Sequence, residues 1–278
     1  MKLSILSLSL SLLLGCQQTH GVQVSPQRER DLPDQDHTSV PIYAASSLAP
    51  FLSTFLEQLS EDAPALQSHV NLIGSQRARL QLERGAPSGV FISASAKHID
   101  HLDSLGLIEA RSALVDNLLT IVSRSDEVID LSTLGRSRRL VLADPLVPLG
   151  ELTWAMIGNA ERELMATNLG GRLRSRLISL ELSARAVLGR LMRNEADSAI
   201  LYQTDALQLL ASNKGWRMIP LDHRLALRFK AHYHVALTRD NSGSIASSSA
   251  REWYRSILEP RSIQLLLKLG YQPVTSRP

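Results

Sequence analysis

Five short segments of this chain carry small or hydroxyl residues where a strand or loop hands over to a helix. They are Ala44-Ala45-Ser46-Ser47-Leu48, Gly74-Ser75, Pro148-Leu149-Gly150, Ser183-Ala184, and Tyr202-Gln203-Thr204 at a strand end. A helix N-terminus offers unpaired backbone N–H groups and a partial positive charge, so it receives anions. Several such ends converging would make a neutral, donor-rich cage for a small oxyanion. Each segment also reads as ordinary helix capping, and spacing along a chain does not by itself show convergence. Chemistry of other kinds is poorly supplied. No Gly-x-Ser-x-Gly, His-Glu-x-x-His or Walker sequence occurs, and no acid and base pair up at these junctions, so no enzyme is expected. His98 and His101 stand three apart beside Asp100 and Asp103. A solvated helix face is preferred there over a metal patch. His232 and His234 share one face of a strand, which suits a structural or hinge role.

The elements that must position these segments alternate. Strands are read at 39–44, 70–73, 90–93, 118–122, 140–143, 198–202, 217–220 and 232–237. Helices are read at 48–59, 76–83, 96–105, about 152–168, 184–193, 205–211, 250–258 and 262–269. Pro50 sits in the first turn of its helix, where proline is tolerated, and Ser46 or Ser47 is available to cap it. Such alternation predicts an α/β protein with largely parallel sheets. The chain has 278 residues, 44% of them hydrophobic, which suffices for two cores of ordinary domain size and excludes disorder over most of its length. A net charge of +3 gives no case for nucleic acid.

The first sixteen residues read as an address. Met1-Lys2 precedes an apolar run, Leu3 to Leu14, too short to span a bilayer as a helix, which takes roughly 20 residues. The run ends Leu13-Leu14-Gly15-Cys16 and resembles the bacterial lipoprotein signal. That resemblance implies cleavage of residues 1–15 and a lipid anchor on Cys16, the one cysteine of the chain, with the protein held at the cell envelope, facing the periplasm or exterior. Residues 16–38 are polar, carry Pro26 and Pro33, and read as a flexible tether.

Over about residues 40–275 the chain resembles the molybdate-binding periplasmic proteins of ABC transporters. The resemblance is carried by Tyr43-Ala-Ala-Ser-Ser-Leu48, Glu83-Arg-Gly-Ala-Pro87 with Val90-Phe-Ile-Ser-Ala94, Asp144-Pro-Leu-Val-Pro-Leu-Gly150, Arg193-Asn-Glu-Ala196, Ile200-Leu-Tyr-Gln-Thr-Asp-Ala206 and Leu269-Gly-Tyr271. It implies a two-lobed, type II periplasmic-binding-protein-like α/β fold, with two crossing segments between the lobes and the ligand in the cleft. Residues 39–116 and 228–278 would form one lobe, and 117–227 the other. It further implies an oxyanion held by Ser47 and Ser75 through hydroxyl and amide, by the backbone amides of Leu149 and Ala184, and by the Tyr202 hydroxyl. The expected ligand is molybdate or tungstate, with no cofactor and no metal held directly by side chains. The expected partners are a membrane permease and ATPase, and the expected state is a monomer. A receptor for phosphate, phosphonate or sulfate is the alternative, or an envelope anion sensor independent of transport. Donor-only groups disfavour hydrogen phosphate, whose proton needs an acceptor, and a cage fitted to longer bonds leaves sulfate loosely held.

The chain departs from the family pattern in four places. The loop Asp144-Pro-Leu-Val-Pro148 is one residue short, which would move Leu149. Ala86-Pro-Ser-Gly-Val90 has glycine where an acid is usual, and Tyr233-His-Val235 lacks the usual proline. Arg77 and Arg79 follow Ser75, and Arg77 facing the cleft would bring positive charge to a neutral cage.

Overall fold

The computed structural model describes residues 39–163, 168–212, 215–240, 243 and 246–274. The signal, Cys16 and the tether fall on residues 1–38, outside the described residues.

Apolar runs and periodic stretches become the following elements in chain order. The strand β1 (Val40–Ala45) leads through a 3-10 turn, Ser46–Leu48, into α1 (Ala49–Asp62). There follow β2 (Ser68–Ile73), α2 (Ser75–Glu83), β3 (Val90–Ser93), α3 (Ala96–Ser104) and β4 (Ile108–Asn117). Next come β5 (Leu119–Ser123), β6 (Leu140–Ala143), α4 (Pro148–Glu163) and α5 (Leu169–Arg174). Then β7 (Leu177–Glu181), α6 (Ala184–Met192), β8 (Ser198–Tyr202), α7 (Gln203–Ser212), β9 (Arg217–Pro220) and α8 (His223–Arg228) complete the middle of the chain. It closes with β10 (Ala231–Thr238), α9 (Ser248–Ile257) and α10 (Pro260–Lys268).

These strands form two five-stranded sheets, ordered β2-β1-β3-β10-β4 and β7-β6-β8-β5-β9. The chain passes from the first sheet to the second between β4 and β5, and returns between β9 and β10. That gives two α/β lobes joined by two crossings. The sheets are mixed, which corrects the expectation of largely parallel ones. β1 pairs with β2 and β3, and β6 with β7 and β8, in parallel. β10 runs antiparallel to β3 and β4, and β5 antiparallel to β8 and β9. The reversed strand of each sheet, β10 in the first and β5 in the second, is the first strand after a crossing, where the chain enters the sheet from the other lobe and not through a local helical crossover.

Four elements escape the sequence reading: β4, β7, α8 and the short helix α5. β4 has no continuous apolar run because its first half, Ile108 to Ala113, is partly exposed and carries Glu109 and Arg111. β7 lies at a sheet edge with Ile178 and Leu180 largely exposed. α8 is a short helix whose cap, Asp222, accepts from the Arg224 amide at 2.9 Å. The helix expected from Leu152 starts instead at Pro148, because proline fits a first helical turn. Neither Ser46 nor Ser47 caps α1, since no side-chain cap bond is made there.

One departure from the family pattern, Gly89 in place of an acid, has a packing account. A Cβ on Gly89 would stand 2.0 Å from the Pro41 carbonyl oxygen, so β1 and the start of β3 approach too closely for any side chain. At the β10 crossing, Lys230 and His232 both pair with the buried Asp116, at 2.8 and 2.6 Å, and the β10–β4 ladder slips between Tyr233 and His234. His232 thus has a structural role at the crossing.

Candidate oxyanion site between the lobes

Each handover segment places a helix start against the space between the two sheets. Ser47 lies in the 3-10 turn that follows β1, and Ser75 is the first residue of α2. Leu149 is the second residue of α4. Val147 and Leu146 close the preceding turn on Asp144, through its carbonyl at 3.0 Å and its carboxylate at 2.8 Å. Ala184 opens α6, and its predecessor Ser183 accepts from the Ala186 amide at 3.1 Å, which leaves the Ala184 and Arg185 amides uncapped. Tyr202 ends β8 immediately before α7.

These five residues line one cavity. Its wall is Ala45, Ser46, Ser47, Gly74, Ser75 and Ala94 from the first lobe, facing Val147, Pro148, Leu149, Ser183, Ala184 and Tyr202 from the second. The shortened loop before α4 therefore does not carry Leu149 away from the others. No charged side chain is part of this wall. The space admits the centre of a water-sized sphere over about 20 Å³. Taken as a sphere, that space has a radius of about 1.7 Å, and the water radius of about 1.4 Å added to it puts the wall about 3 Å from the centre, the reach of a single tetrahedral oxyanion.

The polar groups of the wall are mostly donors. The Tyr202 hydroxyl is buried with no hydrogen-bond partner, and burial raises its pKa well above the ordinary phenol value, so it stays protonated. Ser75 Oγ accepts from the Ala94 amide at 3.1 Å, which leaves its own proton to give. Ser47 Oγ lies 2.6 Å from the Tyr233 hydroxyl, and the Ser47 carbonyl accepts from Tyr271 at 3.1 Å. The amides of Ser75, Leu149 and Ala184 stand in first helical turns, where no intrahelical partner exists. Neutral donors at the positive ends of α2, α4 and α6 suit a dianion.

The lobes meet tightly beside this space. A Cβ on Gly74 would stand 2.9 Å from the Leu182 carbonyl oxygen across the cleft. Sequence reading took Gly74 only as a neighbour of Ser75; this approach of backbone from the other lobe has no signature in the chain. Lys97 of α3 also pairs with Glu151 of α4 across the lobes. Arg77 does not enter the cavity wall. It lines a larger groove, of about 600 Å³, that shares Ser46, Gly74 and Ser183 with the cavity and also carries Arg185 and Arg190.

Asp205, in the first turn of α7, is buried with Oδ2 unpartnered, and burial raises its carboxyl to about 7. Its folded value lies above the unfolded one, so the folded chain binds the proton more tightly. The stability this contributes is complete below about pH 4 and is lost as pH rises through about 7. Asp205→Asn is expected to flatten that part of the stability profile. Melting of wild type and variant between pH 4 and pH 8 checks it, and two parallel profiles would contradict it.

The histidines of α3 form no metal site. Among the described residues no group of three or more His, Cys, Asp or Glu side chains is placed to hold a metal ion. His101 bonds Glu83 at 2.8 Å, and burial together with Arg79 lowers His98 to about 4.

Two α/β lobes enclosing a small donor-lined cavity are the architecture of a two-lobed periplasmic binding protein. The chain belongs to the bacterial extracellular solute-binding proteins, whose family model matches residues 40–272. It is similar to the molybdate-binding protein ModA of Escherichia coli, 25% identical over 251 residues covering 85% of this chain and 90% of the relative. It is also similar to ModA of Mycobacterium tuberculosis, 26% identical over 190 residues covering 66% of this chain and 69% of the relative. Among solved structures, the periplasmic molybdate-binding protein of Azotobacter vinelandii shares the fold with a TM-score of 0.70 at 16% identity, covering 86% of this chain and all of that one. The sulfate-binding protein SubI of Mycobacterium tuberculosis does so with a TM-score of 0.69 at 15% identity, covering 86% and 88%.

Proposed function

We propose that this protein is the lipid-anchored receptor of an ABC importer and captures molybdate or tungstate for a membrane permease and its ATPase. The observation that carries the reading is the convergence of Ser47, Ser75, Leu149, Ala184 and Tyr202 on one uncharged cavity of oxyanion size. The relatives named molybdate-binding support the choice of anion. Neutral donors stabilise a dianion without a counter-charge, so the ligand stays releasable. Two lobes joined by two crossings supply the hinge closure that would trap and free it. No chemical step is involved. No helix among the described residues is long and apolar enough to cross a membrane, and the anchor rests on Cys16.

Thermal melting tests this directly, since a ligand that binds only the folded state stabilises by about 2.7 kcal/mol at a hundred times Kd. Molybdate and tungstate are expected to raise Tm by roughly 5–10 °C, and sulfate and phosphate at equal concentration by less. Equal shifts with all four, or none, would overturn the reading. Ser47→Ala is expected to weaken molybdate binding by about 1–3 kcal/mol through loss of a hydrogen bond to a charged group. A change of a few tenths, measured by titration, would remove Ser47 from the site.

A second reading has one observation in its favour. Arg77 and Arg185 come from opposite lobes to the groove beside the cavity. Cations there suit an oxyanion carrying an acidic substituent, such as a phosphonate, whose tail would lie in the groove. Tighter binding of a carboxylated phosphonate than of molybdate would select this reading.

A further inference from the structure

Ser47 is held from behind by residues outside the cavity wall. Tyr233 of β10 and Tyr271, beyond α10, are both buried, and each places its hydroxyl on Ser47. Their rings meet edge to face at 5.5 Å, and Tyr233 meets Tyr202 in the same way at 6.1 Å. The phenols therefore have little room to turn. Tyr271 bonds a carbonyl oxygen, which can only accept, so Tyr271 donates. Tyr233 is fully buried, and its hydroxyl meets Ser47 Oγ at 2.6 Å. A phenol that gave no proton to Ser47 would bury that proton unpaired, whereas Ser47 also lines the cavity and can give its own proton there. The phenol proton therefore goes to Ser47 Oγ.

We propose that Tyr233 is a positioning residue that fixes the Ser47 hydroxyl as a donor toward the cavity and thereby selects oxyanions that carry no proton. This rests on the oxyanion reading above and names which oxyanions it favours. Were the Ser47 proton spent on Tyr233, the cavity would face two lone pairs, which repel a dianion. With the Tyr233 proton given to Ser47 Oγ, the Ser47 proton is left for the ligand. Ser75 is polarised alike by the Ala94 amide. Molybdate, tungstate and sulfate accept at all four oxygens, whereas hydrogen phosphate brings a donor to a wall of donors. Without Tyr233, the Ser47 hydroxyl can rotate and accept that proton.

The test measures the ratio of molybdate to hydrogen phosphate affinity by competition at pH 8 on the purified protein. Tyr233→Phe is expected to weaken molybdate about tenfold and phosphate far less, so the ratio falls several-fold. Tyr271→Phe, which loses a donor to a carbonyl only, should leave the ratio unchanged. In a Ser47→Ala background, Tyr233→Phe should change the ratio no further. Ser47→Ala alone should lower the ratio in the same sense, which keeps the fixed donor under test in the event that Tyr233→Phe fails to fold. An unchanged ratio in Tyr233→Phe or in Ser47→Ala, or an equal fall in Tyr271→Phe, would overturn the positioning role while leaving the oxyanion reading intact. A wild-type protein that binds neither anion would overturn both.

Discussion

Gly74→Ala is expected to weaken molybdate binding about ten- to a hundredfold while slightly raising the stability of the ligand-free protein. The two effects have separate origins. Gly74 adopts φ −65° and ψ 139°, which any residue accommodates, so alanine costs nothing in the backbone and restricts the unfolded chain. The difficulty is across the cleft. The added Cβ would stand 2.9 Å from the Leu182 carbonyl oxygen and 3.8 Å from Ser183 Cβ. Both groups are backbone or close to it, so the contact is relieved only by moving the lobes apart. Ser75 follows Gly74 directly, and Ala184 follows Ser183, so a wedge there separates donors that must act on one ion. Affinity by titration, set beside Tm of the ligand-free form, checks both signs. An unchanged affinity would mean that the lobes need not approach this closely to hold the ligand.

Tyr202→Phe should likewise move stability and binding in opposite directions. The Tyr202 hydroxyl is buried without a partner, and a buried unpaired hydroxyl costs about 1–3 kcal/mol. Removing it should leave the ligand-free protein as stable as wild type or more so. The ligand then loses the Tyr202 hydroxyl, a charge-assisted hydrogen bond of about 1.5–3 kcal/mol. Parallel melting and titration decide the matter. A variant that is less stable and binds normally would show that the hydroxyl has a structural partner and faces no ligand.

Much of the fold was legible because its central strands are short apolar runs. Val90 to Ser93, Leu140 to Ala143 and Ser198 to Tyr202 are buried along their whole length, and their sequence bounds coincide with the structure. β4 was illegible for the opposite reason. It is long and half-exposed, and its role as a crossing strand is set by a ladder with β10, more than a hundred residues away. The sheets read as parallel because local strand–helix alternation says nothing of strands that arrive from another lobe. The five site residues were named through family resemblance, and the structure gathers them at one cavity. What the chain did not disclose is what lies behind and beside them. Tyr233 is placed against Ser47 only by the meeting of β10 and the turn after β1. Gly74 matters only because Leu182 comes from the other lobe. The tyrosine of Tyr233-His-Val235 was visible as a motif, yet nothing in its neighbours pointed to a serine 186 residues away.

The measurement closest to the central claim is isothermal titration of the purified protein with molybdate, tungstate, sulfate and phosphate. Submicromolar, one-to-one binding of molybdate or tungstate is expected, with sulfate and phosphate weaker by at least about tenfold, a difference of about 1.4 kcal/mol. No submicromolar binding of either metal oxyanion, or preference for phosphate over both, would contradict an uncharged, donor-lined cage for a proton-free oxyanion.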